Sequence, residues 1–231
     1  MNIDRANWRL KLFSAFFLFF FLALSGWQVE RGMEKADLLT MAEAQSNLPG
    51  QWVTTDLEVS NGEPVRIEGS FNPNAVLLLD NRVIAGRVGY EVLQVFEGEN
   101  GVKVLVNRGF VAGARTRVEL PDVPMANTAR QLIRGHAYRT ELSVPEENVL
   151  GDQSPWVVQV VKPEEMEKLV GQALVDFTVR LEEFHPDALP RYWPVTTMPP
   201  ERHYGYAFTW FLMALAVVGV FIYTVRQTDI D

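Results

Sequence analysis

The residues best suited to chemistry lie beside the two long apolar stretches near the ends of the chain. His203, Tyr206, Ala207 and Trp210 are spaced i, i+3, i+4 and i+7, so a helix would place them in one stripe. An imidazole at the polar end of such a stripe can ligate a haem iron. The same pattern is also typical of an aromatic belt with a polar cap at a membrane surface. Spacing alone leaves both interpretations open.

A second group of such residues follows the first apolar stretch. Trp27 closes that stretch, and Arg31 and Lys35 come after it with an i, i+4 spacing. This spacing places the two cations on one face of a helix, just outside the apolar region. They could anchor the helix at a membrane surface or hold an anionic group.

The other candidate residues favour structural roles. His136 lies in a predicted strand and His185 precedes a proline in a predicted loop, so neither is the preferred ligand. Asn107, Arg108 and Gly109 predict a turn at a strand end, with glycine at positive φ and the arginine exposed. The alternative is that Arg108 faces a membrane or a partner.

Nucleophile elbows, HExxH motifs and phosphate-binding loops are missing from the sequence, which predicts that the protein is not an enzyme.

Two uncharged apolar stretches, 12–29 and 206–225, are each long enough to cross a bilayer as a helix. A cleaved signal peptide is the alternative for the first, because a basic segment precedes it. The excess of Arg and Lys within 1–11 places the N-terminus in the cytoplasm, and two spans return the tail 226–231 to the same side. The simplest host is a bacterial cytoplasmic (inner) membrane, with 30–205 in the periplasm.

The region between the spans predicts a β-rich domain that follows a helical stalk over 30–46. Seven β-type runs occur at 64–71, 75–84, 89–98, 101–111, 129–139, 155–161 and 173–182. A Gly-bearing loop between the third and fourth runs predicts a hairpin, and a short helix opens near Pro163. The fold class expected is an α+β membrane protein, in which terminal helices flank an antiparallel sheet or barrel.

Composition limits the function classes further. The chain has 231 residues and a net charge of −8, which disfavours nucleic acid as a partner. It has no cysteine, so disulfides, thiolate metal sites and covalently attached c-type haem are excluded. Any metal or haem ligation by imidazole must use one of three histidines.

Four segments taken together resemble the Surfeit-locus (SURF) family of two-helix membrane proteins that assist assembly of haem-copper cytochrome oxidase. These segments are Gly26-Trp27-Gln28 with Arg31 and Lys35, Gly89-Tyr90-Glu91-Val92, Val106-Asn107-Arg108-Gly109-Phe110-Val111, and His203 with Tyr206-Ala207 and Trp210-Phe211. Their order and topology extend the resemblance over nearly the whole chain. One departure is Phe110, where the family more often has Trp. Residues 112–150 carry no motif that matches.

The resemblance implies a chaperone that receives haem a and helps to place it in the oxidase catalytic subunit, with the haem a synthesis machinery as a further partner. It implies that His203 is the iron ligand. Haem a also has an apolar tail and two propionates, for which Trp27, Tyr206 and Trp210 would supply apolar contacts. Arg31, Lys35, Arg202 or Arg108 would supply cations, and membrane lipids would contact the helices. The alternatives are a scaffold that stabilises an oxidase intermediate without haem, and a membrane-tethered enzyme or sensor.

Overall fold

A computed structural model describes residues 3–114, 119–145 and 147–228. The chain forms two compact units. The first, here called the helical unit, comprises Met1–Ala42 and Pro194–Asp231. The second, the sheet domain, comprises Glu43–Trp193.

Helix α1 spans Ile3–Ser46, so the expected stalk over 30–46 is a direct continuation of the first apolar stretch. The helix ends where Ser46 Oγ and Asn47 Nδ2 donate to the carbonyl oxygen of Glu43, at 2.8 and 3.0 Å. The backbone N–H of Asn47 donates to the same carbonyl at 3.3 Å, so the two side-chain donors reinforce the last helical hydrogen bond at the C-terminal turn. Pro49 then prevents further helix.

The last helix of the chain spans Pro200–Thr228 and is labelled α3. It starts before the predicted span because proline is favoured in a first helical turn and the glutamate at 201 stabilises the N-terminal end. Both terminal helices contain segments long and apolar enough to cross a membrane, Trp8–Ser46 and Pro200–Gln227. The expected tail 226–231 lies partly outside the described residues.

The described residues of the sheet domain form eight strands and a short helix. The strands are β1 (Gln51–Trp52), β2 (Pro64–Ile84), β3 (Arg87–Gly98), β4 (Lys103–Ala112), β5 (Gln131–Tyr138), β6 (Val149–Leu150), β7 (Trp156–Val158) and β8 (Thr178–Leu181), and helix α2 spans Pro163–Val170. The predicted hairpin is β3–β4, which pairs Phe96 with Val104. The short helix at Pro163 is also confirmed.

The strand pairings correct the expectation of an antiparallel sheet or barrel. The sheet is mixed, because it contains both antiparallel and parallel pairs. Strand β2 joins two predicted runs and pairs antiparallel with β3 and β5. Three pairs are parallel, namely β1–β2, β2–β7 and β4–β8. An alternating apolar pattern is the same in either orientation. The sequence therefore located most strands but could not give their directions.

Both faces of the central strand β4 are buried. Val104 and Val106 pack into one apolar cluster with Phe71, Phe96 and Phe177. Leu105 points to the opposite face, where it joins a cluster that includes Met166 of α2. This burial on two faces explains why Val104, Leu105 and Val106 are consecutive apolar residues rather than part of an alternating pattern.

Candidate functional site

In the helical unit, α1 and α3 pack antiparallel along one stripe of contacts. Four pairs form this interhelical stripe: Phe21 with Trp210, Ser25 with Ala207, Gln28 with His203, and Gly32 with Tyr204. The α1 members recur every three or four residues, which is the spacing of one helical face. The stripe therefore joins a largely apolar region to a polar end, where His203 lies.

His203 is held against α1 at this polar end. Only 9% of the residue is exposed, and its Nδ1 lies 2.8 Å from Gln28 Oε1. An amide oxygen only accepts hydrogen bonds, so Nδ1 carries the proton and donates it. In this tautomer the lone pair lies on Nε2, which has no hydrogen-bond partner among the residues that the structure describes.

A close approach of the helices supports this contact one turn further along. Gly32 is buried, and a Cβ at this position would lie 2.5 Å from Cε1 of Tyr204. A residue larger than glycine would therefore push the tyrosine ring or the helix aside. Small residues are what allow such close contact between membrane helices.

The predicted aromatic stripe is only partly reproduced. Trp210 stacks on Phe21, with ring centroids 5.8 Å apart and an interplanar angle of 18°. Ala207 is buried on the same face, with Ser25 Oγ donating to its carbonyl oxygen at 2.9 Å. Tyr206, by contrast, is 52% exposed and lies outside the interhelical stripe. It is available to an external ligand or to lipid.

The predicted cations lie near the same end of α1. Arg31 Nη1 pairs with Glu34 Oε2 at 2.5 Å, and both side chains are about half exposed. The Arg31 guanidinium also lies 5.9 Å from the centre of the exposed Trp27 ring. Lys35 is half-buried and makes no ion pair with any described residue. Because exposed ion pairs contribute only about 0–1 kcal/mol, Arg31 can exchange its carboxylate for another anion at little cost.

Gln28 is the residue at this site whose role was not predicted. Between 12 and 29 the polar side chains are Ser14, Ser25 and Gln28. The last two, together with Gly32, fall on one helical face at the spacing of an interhelical contact. Polar and small residues aligned in an apolar helix were the signal that could have identified Gln28.

The other two histidines lie in the sheet domain. His136 is in β5, opposite Arg180 of β8, which confirms its place in a strand. Burial lowers its pKa, with Glu182 opposing this and two arginines adding to it. His185 lies in a loop, where its Nδ1 accepts a hydrogen bond from the backbone N–H of Asp187 at 3.2 Å. Burial lowers the pKa of His185 too, against the opposing charge of Asp187.

The structure corrects the prediction that Arg108 is exposed in a turn at a strand end. Val92 pairs with Gly109 and Leu93 pairs with Asn107, so Arg108 is an extra residue in a β-bulge of β4. Gly109 has φ +118° as expected, but the bulge turns the arginine inward, and Arg108 is only 2% exposed. Arg108 is therefore not one of the exposed cations of the helical unit.

The residues of the helical unit fit a haem ligand in chemical type. An imidazole whose Nδ1 is hydrogen-bonded and whose Nε2 keeps a lone pair is the usual donor to haem iron. Apolar and aromatic side chains on the two helices suit the macrocycle, and Arg31 suits a propionate. Bound haem would supply an iron centre, which these residues would hold and orient.

The chain matches the model of a known protein family. A family model described as the SURF1 family matches residues 15–215. The match includes the sheet domain and most of the two terminal helices. No curated protein matches the chain.

Proposed function

The chain belongs to the SURF1 family, and from this premise we propose that it binds haem a and assists its insertion into the catalytic subunit of a haem-copper oxidase. The family is associated with cytochrome c oxidase assembly and consists of assembly factors rather than known enzymes. The haem-binding role is the more specific part of the proposal. It rests on the chemistry of the helical unit.

The contact that carries the proposal is the 2.8 Å hydrogen bond between His203 and Gln28. It orients the ring and leaves Nε2 as the ligating atom, as partners of metal-bound histidines commonly do. Trp27, Tyr206 and Trp210 would line the macrocycle, and Arg31 and Lys35 would face its propionates. The helices would hold haem transiently, since a delivery protein must also release it to the oxidase subunit.

The experiment is to purify the full chain from cells that make haem a and to record its absorption spectrum. We expect a Soret band that His203→Ala removes or shifts, with normal expression and membrane insertion. His136→Ala and His185→Ala are matched controls that should keep the band. A colourless wild-type protein that still supports oxidase assembly would favour the scaffold function instead. A band lost only in a control variant would refute His203 as the ligand.

We further propose that the two terminal helices cross a bacterial inner membrane, with both chain ends in the cytoplasm and the sheet domain in the periplasm. The two apolar helices and the basic residues within 1–11 support this arrangement. A reporter inserted near Gly98 should be active only in the periplasm, and reporters at either terminus only in the cytoplasm. Cytoplasmic activity at Gly98 would contradict the proposal.

A further inference from the structure

Arg108 is a buried cation of the sheet domain, and its guanidinium forms hydrogen bonds with uncharged groups. It is 2% exposed, and the described residues place no Asp or Glu oxygen within ion-pair distance of it. Its Nε donates to the carbonyl oxygen of Asp187 at 3.0 Å, and its Nη1 donates to Gln94 Oε1 and to the carbonyl oxygen of Pro124. Burial lowers the pKa of Arg108, and the more distant charge of Asp187 only partly opposes this.

The remaining nitrogen, Nη2, has hydrogen-bonding capacity that the protein does not use. It has no acceptor among the described residues, although the other two nitrogens of the guanidinium have three between them. Nη2 is also not among the fully buried side-chain atoms of the described residues that lack a hydrogen-bond partner, so the protein does not enclose it completely. Arg108 lines a cavity of about 200 Å³ together with Gln94 and Pro124, which both accept hydrogen bonds from its Nη1. Nη2 can therefore donate to a group that enters this cavity.

The lining of the cavity defines what such a group must be. Gln94 and Ser154 are the uncharged polar residues beside Arg108, and both already have hydrogen-bond partners. The remaining walls are apolar, and they include Val76, Val123, Met125 and Ala126. No Asp or Glu belongs to the lining that the described residues form. A buried cation beside apolar walls suits an anion that carries a small apolar body.

The volume limits the size of the ligand. Pockets for drug-sized molecules measure roughly 300–1,000 Å³, so a cavity of about 200 Å³ is too small for a porphyrin. It has room for a carboxylate on a short chain. We propose that the cavity beside Arg108 is a binding site for a carboxylate attached to a short apolar group. Such a carboxylate would complete the hydrogen bonding of the guanidinium and compensate its buried charge.

The carboxylate could belong to a free small acid or to the C-terminus of a protein chain, since both present the same chemistry. The net charge of −8 opposes the approach of any anion at long range. At physiological salt this repulsion is screened beyond about 8 Å. Recognition would therefore depend on the local contacts at Arg108.

Methionine methyl groups make a direct assay because Met125 lines the cavity. The full chain in detergent micelles, labelled with ¹³C at its methionine methyls, is titrated with butyrate. Met125 should shift saturably, whereas Met166, which lies on the buried face of α2 in a different cluster, should not. Butyramide has the same shape without the charge and should produce no saturable shift. No shift of Met125 with butyrate, or an equal shift with butyramide, would overturn the proposal.

Two variants assign the effect to the cavity. Arg108→Lys keeps the charge but loses the fork of donors, and should weaken butyrate binding about tenfold or more. Val123→Phe fills the cavity without altering Arg108 and should abolish the shift, which tests the site even if the lysine variant fails to fold. Unchanged binding in Val123→Phe would refute the location.

A comparison of N-acetyl-glycyl-valine with butyrate separates the two sources of the carboxylate. Tighter binding of the dipeptide identifies a chain terminus, and weaker binding identifies a free acid.

Discussion

Removing the Gln28 side chain as a hydrogen-bond acceptor tests how the helical unit prepares His203. In Gln28→Leu, the imidazole loses the acceptor that lies 2.8 Å from its Nδ1. A neutral hydrogen bond contributes about 0.5–1.5 kcal/mol net. Loss of a partner behind a metal-bound histidine typically lowers metal affinity about 10–100-fold. Since this bond is short and its histidine is mostly buried, we expect haem a affinity to fall about tenfold or more.

The measurement is a titration of the purified full chain with haem a, followed by the Soret band. Gln28→Glu keeps an acceptor of the same reach and should retain wild-type affinity or exceed it. Ser25→Ala is the matched control, because it removes the neighbouring interhelical hydrogen bond, from Ser25 to Ala207, without touching His203. Wild-type affinity in Gln28→Leu would refute the reasoning, as would an equal loss in Ser25→Ala, which would indicate helix packing rather than ring orientation.

The other predictions concern packing, charge and pH. Gly32→Ala should cost at most about 1–3 kcal/mol in packing against Tyr204, and this cost opposes the roughly 1 kcal/mol that alanine gains over glycine in a helix. Adding Tyr204→Ala should therefore raise the melting temperature of the Gly32→Ala variant, and no such rise would contradict the close contact. Changing both Arg31 and Lys35 to Gln should reduce haem retention while leaving the protein in the membrane fraction, and unchanged retention would leave these cations an anchoring role only. Burial lowers the folded-state pKa of His185, so the unfolded chain binds more protons below about pH 6.5 and the protein loses stability on acidification. The melting temperature of His185→Gln should therefore fall less between pH 7 and 5 than that of the wild type. An identical fall would contradict this assignment.

The helices and most strands could be predicted from the sequence because their signals are local. Length and unbroken apolarity predicted α1 and α3, and alternation with turn residues predicted the β3–β4 hairpin. The strand directions could not be predicted. Strands β7 and β8 pair parallel to partners that are distant in the chain, and no local pattern records such a pairing.

The candidate site shows the same limit. His203 could be singled out because few histidines occur in the chain and one begins an apolar helix. Its partner Gln28 lies 175 residues away, and only the packing of the two helices brings them together. Arg108 was misjudged for a related reason. A β-bulge shifts the alternation by one residue and reverses which face a side chain occupies, and its position depends on the partner strand.

The pairing of the first and last helices has a consequence for the timing of biosynthesis. Gln28 emerges from the ribosome early, whereas His203 is added 175 residues later. At translation rates of about 5–20 residues per second, the interval is roughly 9–35 s. During this interval the growing chain has the glutamine without the histidine, so the oriented imidazole cannot exist. A chain truncated before α3 would never acquire it, so the oriented imidazole reports that synthesis has reached α3.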